Sequence, residues 1–471
     1  MASAAAATNG LKVALLRPAL QRAPRIQPIL LVASSAAAPL STTASLAAAP
    51  SGPKSRQDIV KSPKKTFNKK RLGVESVRKP APGERKAFRK RITLSSNSAL
   101  AVEGLQVLGS GVLADARSAG TVVELPDQVV DQLRALGAFR PGQSWGLFRK
   151  PHVLVRKETV DMVARMDKAV SDKTAARIVL TGSRASGKST ALVQAMSHAL
   201  KNDWVVINIP EAQDLVIAHT DYVPVPDTVP MQFTQPTYTL NLLQNILKAN
   251  KAVLEKVKIE QKSSLTAGLS EGSSLADLIV NIREPDAAWP GFLALWSELM
   301  LPGRPPVFMA MDGLTFANKD TQYRDPAFNK VHAHDLTLIG HFFAALSGTT
   351  PMPNGGAVIA ADSASNTPAR HPSEALVLGQ LEAGQAGREV PVPDPYLRGY
   401  DDRVYDALKN CHVMRLEGVS HDEARALMEY WGASGLVRGV LSTELVAQKW
   451  ALGGHGNIGE MERVVLQNLK M

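Results

Sequence analysis

The sequence predicts an α/β fold on a mainly parallel five-stranded sheet, and three observations carry that prediction. Five short apolar runs recur along the chain, at Arg177–Thr181, Trp204–Ile209, Val307–Asp312, Ala357–Ala361 and His412–Leu416. Helical periodicity fills the intervals, as at Thr237–Val257 and Leu275–Ile282, the alternation expected when strands are buried on both faces. The first run passes through a glycine-rich turn into an amphipathic stretch, Thr190–Lys201, with Leu192, Val193, Met196, Ala199 and Leu200 on one face.

The N-terminal part is of another kind. Residues 1–91 hold 19 of the 54 basic side chains but only three of the 43 acids, Asp58, Glu75 and Glu84. The net charge of +11 therefore resolves into +16 on this arm and −5 on the remainder. Residues 1–50 are rich in Ala, Ser and Leu and contain no acid. Lys12 and Arg17 are interleaved with Leu11, Val13, Leu15 and Leu16, and Arg22 and Arg25 follow, the pattern of a mitochondrial transit peptide rather than a secretory signal. Residues 51–95 carry a basic run spaced by Pro and Gly, with too few apolar side chains for a core. Such an arm gains structure along phosphates, with Phe67 and Phe88 available to stack on bases, so RNA is its expected partner.

Residues 96–170 are expected to pack on the core, with a helix over Val129–Leu136, an extended His152–Arg156 and a helix from Glu158. Residues 171–418 hold the five strands, and 419–471 read as a helical lid. Ser420-His-Asp-Glu423 has the spacing of a capping box and starts one lid helix; Gly459–Leu469 forms another. Pro210–Pro236, Ser263–Ser274 and Ser363–Asp402 read as long connections, of the kind shaped by function or a partner. No run reaches 18 apolar residues, so no membrane span is expected. A single cysteine, Cys411, excludes an intrachain disulfide framework and a Cys-rich zinc module.

The glycine-rich turn, Gly182-Ser183-Arg184-Ala185-Ser186-Gly187-Lys188-Ser189, fits the phosphate-binding pattern G-x-x-x-x-G-K-[ST] and runs on into Thr190. In that pattern the backbone N–H groups and the helix N-terminus face the phosphates. Lys188 reaches the outer ones and Ser189 offers its hydroxyl to Mg²⁺. A nucleoside triphosphate or diphosphate is the expected ligand. Such a loop needs a second carboxylate at the end of a neighbouring strand, and Asp312 after five apolar residues is the candidate, acting on Mg²⁺ through water. ATPases of the AAA+ type carry Glu directly after this Asp as the base that activates water; here Gly313 stands there, so binding with slow or absent hydrolysis is expected. Ser363, with Asp362 second, is the candidate phosphate sensor at the end of a third strand, and Glu211 reads as a loop acid, with a substitute water-orienting group as the alternative.

Other chemistry-bearing residues read as structural. His332, His334, Asp335 and His341 lack metal-ligand spacing. Cys411 lies in an apolar stretch, where a small buried thiol is the common case. Asn318-Lys319-Asp320 lacks the spacer of a guanine-recognition motif.

The ordered set Trp204–Ala212, Gln235-Pro236, Met311-Asp312-Gly313, Gly355–Ala360 and Gly456-Asn457, with Gln143–Phe148 and Val153–Arg156 upstream, resembles the death-associated protein 3 family over about residues 130–470. The resemblance implies an AAA+-like nucleotide-binding core in the head of the mitochondrial small ribosomal subunit. It implies contacts with small-subunit rRNA, neighbouring small-subunit proteins and bridges to the large subunit. A bound GTP or GDP is implied, with ATP as an alternative, and Gly182, Gly187, Lys188, Ser189, Thr190 and Asp312 inherit the phosphate and Mg²⁺ roles. The long basic arm and the insertion around Gly379–Pro395 depart from the family pattern. The competing expectation is a free mitochondrial AAA+ or STAND-like ATPase that remodels protein or nucleic acid, and Gly313 counts against it.

Overall fold

A computed structural model describes residues 92–466, apart from 262–269, 271, 365–370, 395, 397–399 and 438–439. The expected presequence and residues 51–91 of the basic arm lie outside the described residues.

In chain order, β1 (Gln106–Val107), β2 (Val122–Glu124) and β3 (His152–Leu154) form a small mixed sheet, with α1 (Asp127–Ala135) between the last two. Then come α2 (Lys157–Ser171), β4 (Ala175–Gly182), α3 (Lys188–Lys201) and β5 (Val205–Ile209). The next stretch holds α4 (Ala212–Val216), the hairpin β6 (Val223–Val225) and β7 (Gln232–Thr234), α5 (Pro236–Leu254), α6 (Leu275–Asn281) and α7 (Ala288–Leu299). After β8 (Val307–Asp312) follow α8 (Leu314–Ala317), the hairpin β9 (Asp320–Arg324) and β10 (Lys330–His332), α9 (Thr337–Ser347) and β11 (Gly356–Ala361). The chain continues through α10 (Pro372–Gln385), α11 (Asp402–Leu408) and β12 (His412–Leu416), and its last described elements are α12 (His421–Ala433), α13 (Thr443–Leu452) and α14 (Ile458–Leu466).

The five predicted strands form one sheet in the order β12-β4-β11-β8-β5, every pair parallel. Alternate residues face opposite sides, as the period of two requires. Val179, Ile207, Met309, Val358 and Val413 look onto one apolar cluster with α5, α6, α7 and α9. Leu180, Val206, Phe308, Ile359 and Met414 look onto a second cluster with α1, α2 and α3. The register pairs Ala361 with both Leu180 and Asp312, so the carboxyl ends of β4, β11 and β8 lie level along one edge. Side-by-side parallel strands cover both faces with helices, and the crevice beyond their carboxyl ends is where such sheets bind ligands.

The C-terminal helices have their own small core. Ala424, Leu427, Met428 and Trp431 of α12 and Met461 of α14 enclose Val122, Phe148 and Leu154 from the segment before β4. The capping box is formed: Ser420 Oγ accepts from the Glu423 N–H at 3.2 Å, and the Ser420 N–H donates to Glu423 Oε2 at 2.8 Å.

Two readings of the sequence need correction. Asp312 does not end a strand adjacent to the glycine-loop strand, because β11 lies between β4 and β8. Two of the apparently structureless connections contain regular structure: Pro210–Pro236 carries α4 and a hairpin, and Ser363–Asp402 carries α10. The glycines Gly379 and Gly384 weaken the helical pattern of α10. Tertiary contacts hold it instead: buried Glu374 accepts from Thr315 Oγ1 at 2.8 Å and from Asn318 Nδ2 at 3.3 Å. Among the described residues no helix is long and apolar enough to cross a membrane.

Candidate functional site

The turn between β4 and α3 faces the crevice at the carboxyl edge of the sheet. Its shape depends on Gly182, which has φ +151°, and a Cβ there would lie 2.5 Å from the Leu416 carbonyl oxygen of β12. Lys188 opens α3 and is only 8% exposed. Its Nζ donates to the carbonyls of Gly182 at 2.9 Å and Ser183 at 2.6 Å, and stands 3.5 Å from Asp362 Oδ1. Asp362 follows β11, and its Oδ2 accepts from Thr181 Oγ1 at 2.7 Å. Ser189 Oγ donates to Asp312 Oδ2 at 2.6 Å, joining the first turn of α3 to the end of β8.

Arg140 completes this cluster. Its Nε and NH2 both approach Asp312 Oδ2, at 3.1 and 2.8 Å, and NH1 lies 3.4 Å from Glu211 Oε2. NH2 also donates to the Pro210 carbonyl. The preceding turn is fixed by Gln143, whose Oε1 accepts from the Arg140 N–H at 2.7 Å and from Trp145 Nε1 at 2.6 Å. Two cations, Lys188 and Arg140, are thus interlaced with three carboxylates, those of Asp312, Asp362 and Glu211. Charge-assisted hydrogen bonds of this kind are stronger than neutral ones in a partly dehydrated cleft.

The turn is tied from outside as well. Asn457 Nδ2 donates to Ser183 Oγ at 3.1 Å and to the Arg184 carbonyl at 2.8 Å. The Gly459 N–H donates to the Ala185 carbonyl at 3.1 Å, and Arg156 NH1 donates to the Ser186 carbonyl at 3.3 Å. The cleft has a volume of about 640 Å³. Its lining includes the polar Lys188, Ser189, Thr190, Asp312 and Asp362 and the apolar Trp145, Phe148, Leu154, Leu427 and Ile458. A lining that is part polar and part apolar suits a small molecule with one charged and one flat apolar end.

The residues Gly182 to Thr190 expected to bind phosphate lie together, and Asp312 lies beside Ser189 across the width of β11. Of the two residues named for a third-strand sensor, Asp362 contacts Lys188, whereas the Ser363 N–H donates to Thr315 Oγ1 at 3.3 Å and its residue lines the cleft. Glu211 lies in the loop between β5 and α4 and lines the cleft. Arg140 has no readable signal as a site residue, because an Arg-Pro-Gly turn is an ordinary loop sequence, and Gly456-Asn457 points to the family without revealing its contact with the glycine-rich turn.

The remaining candidates are structural. Burial and its neighbour His332 push His334 down to about 3, and His334 Nε2 lies 3.3 Å from Asn318 Oδ1. No group of three or more His, Cys, Asp or Glu side chains suited to a metal ion occurs among the described residues. Burial pushes the Cys411 thiol up to about 12, far from the thiolate that nucleophilic chemistry needs.

A parallel sheet with a glycine-rich strand–turn–helix at its carboxyl edge defines an α/β protein with a cleft at that edge. The chain belongs to the mitochondrial ribosomal death-associated protein 3 family, whose model matches residues 153–464. It is similar to the small ribosomal subunit protein mS29 of Neurospora crassa, with 48% identity over 407 residues covering 85% of this chain and 86% of that protein. The protein of the same name from Schizosaccharomyces pombe is 26% identical over 67% of this chain and 65% of its own length. That from Bos taurus is 27% identical over 135 residues, 28% of this chain and 34% of the relative. The resemblance read from the motifs is therefore upheld, and the chain is a protein of the mitochondrial ribosome, in the matrix.

Proposed function

We propose that the chain is a structural protein of the mitochondrial small ribosomal subunit, in its head region, that binds a purine nucleotide with Mg²⁺ for stability and docking rather than turnover. The ribosomal part rests on family membership and on the names of the relatives, each a small ribosomal subunit protein. The nucleotide part rests on one observation: the Gly182–Ser189 turn, Lys188 and Asp312 meet in a single cleft at the carboxyl edge of a parallel sheet.

The donor set fits the group. Phosphates would lie against Gly182, Ser183, Arg184, Ala185, Ser186, Gly187 and Thr190, with Lys188 neutralising their charge. Mg²⁺, held by Ser189 and through water by Asp312, supplies charge neutralisation at the outer phosphates when bound. The base, guanine in GTP or GDP or else adenine in ATP, would lie against the apolar part of the cleft lining, which includes Trp145, Leu154 and Leu427. Residues 171–418 then act as an AAA+-like core, 96–170 as its packing segment and 419–471 as its lid. Residues 1–50 would be removed on import, and 51–95 would lie on rRNA. Neighbouring small-subunit proteins and large-subunit bridges would cover other faces.

Weak turnover follows from Gly313. It has φ +89° and starts α8, so no carboxylate follows Asp312 in the chain, where an AAA+-type ATPase carries its water-activating base, and the nearby Glu211 is paired with Arg140. Titration calorimetry of the full chain with GTP, GDP and ATP tests the reading: Lys188→Ala should weaken binding at least about tenfold, the scale of lost charge-assisted hydrogen bonds. Equal affinity in the variant would refute the assignment.

A further inference from the structure

Arg140 is a cation of the cleft that the phosphate-binding pattern does not account for, and it is the one paired with Asp312 among the described ion pairs. It comes from the segment before β3, not from the sheet, and its guanidinium is committed at three nitrogens. Nε and NH2 meet Asp312 Oδ2 at 3.1 and 2.8 Å, NH1 faces Glu211 Oε2 at 3.4 Å, and NH2 also meets the Pro210 carbonyl. The same Asp312 oxygen accepts from Ser189 Oγ at 2.6 Å. The carboxylate on which a phosphate-bound divalent cation would depend thus carries a built-in monovalent partner, and that partner is held in place through Gln143 and Trp145.

We propose that Arg140 sets the metal requirement of this cleft: it competes with Mg²⁺ for Asp312 and, by supplying positive charge itself, lets the nucleotide bind with little dependence on the metal. The inference rests on the nucleotide reading given above. Its chemistry is a charge balance. With Asp312 Oδ2 neutralised by a guanidinium, a divalent cation gains less from that carboxylate, because part of its negative charge is already balanced. A guanidinium that is released stays tethered near the outer phosphates by Glu211 and the Pro210 carbonyl, and its planar donor fork suits phosphate oxygens. Arg140 is therefore a positioning residue for Asp312 and a specificity determinant for the metal-free or metal-bound form of the ligand.

The test compares nucleotide affinity of the full chain in Mg²⁺ and in EDTA, using fluorescent GTP and ATP analogues, for the unmodified protein, Arg140→Ala and Arg140→Lys. The ratio of the two affinities is internal to each variant, so a general loss of folded protein cancels. The unmodified chain should change affinity less than about fivefold between the two conditions, and Arg140→Ala should depend on Mg²⁺ at least about tenfold more strongly, the scale of one charge-assisted contact. Arg140→Lys, which keeps charge but not the fork, should fall between them. An equal Mg²⁺ ratio in the unmodified chain and in Arg140→Ala overturns the role of Arg140 and leaves nucleotide binding standing. Absence of binding by the unmodified chain in both conditions removes the nucleotide reading itself, and this inference with it.

Discussion

Asp312 and its neighbours show how single residues set what the cleft does. Gly313 occupies the position where an active hydrolase would need a carboxylate, and the backbone explains why one cannot simply be added. Its φ is +89°, and the atom nearest to a Cβ at this position would be Phe316 Cδ2 at 3.4 Å, so the obstacle is the left-handed conformation and not lack of space. Gly313→Glu should cost roughly 1–2 kcal/mol of stability, the penalty of left-handed backbone for an L-residue. It should not raise turnover; urea unfolding and phosphate release measured on the same variant check both parts. A second residue-scale effect concerns protons. Burial holds His152 down to about 3 and His341 down to about 4, against an unfolded value of 6.5. Folded pKa values below unfolded ones mean that the unfolded chain takes up protons first. Stability is therefore unaffected above pH 6.5 and declines as pH falls from there toward 4, by up to about 1.4 kcal/mol per pH unit for each histidine. His152→Phe should flatten that slope by one histidine's share in denaturant titrations at several pH values; an unchanged slope would show that His152 is not buried neutral.

Among the elements, α14 and the glycine-rich turn are closely fitted. A Cβ at Gly459 would lie 2.5 Å from Ala185 Cβ, so the helix start rests directly on the turn. Gly459→Val should push the two apart at a cost of about 1–3 kcal/mol, the range for overpacking. It should also weaken nucleotide binding several-fold; unchanged affinity would separate the lid from ligand binding. What could be read from the sequence at this scale followed physical distinctness. The five strands were legible because each is a continuous apolar run buried on both faces, and the turn because its glycines and Lys188 form a fixed pattern. α7 was not, since Trp289-Pro290-Gly291 looks like a turn; in the structure Pro290 sits in the first helical turn, where it is tolerated, and Gly291 lets Ile282 approach closely. α10 was hidden by its glycines and is held by Glu374. Strand order was not legible either, because sequence spacing does not reveal that β11 inserts between β4 and β8. The same limit concealed the contacts of Arg140 with Asp312 and of Asn457 with Ser183 and Arg184, which are far apart in sequence.

At the scale of the whole molecule, segments distant in sequence converge on one cleft: Arg140 and Arg156 from before the sheet, the edge of the sheet itself, and Asn457 and Gly459 from the C-terminal helices. A ligand bound there would hold all three together. Binding confined to the folded state stabilises by RT ln(1 + [L]/Kd), about 2.7 kcal/mol at a hundredfold excess over Kd. That gain is a sufficient reason for a ribosomal protein to keep a phosphate-binding turn without a catalytic base. The body of the chain is mildly acidic while the arm before it is strongly basic, a division that suits a folded unit docked among proteins with an extension laid on RNA. The most direct test of this account is the nucleotide content of the protein recovered from mitochondrial small ribosomal subunits, released by acid and separated by chromatography. The account predicts about one purine nucleotide per chain, the stoichiometry of a single phosphate-binding turn, and its loss in Lys188→Ala together with a fall in assembled protein. Subunits that contain the chain in normal amount but no nucleotide would contradict it.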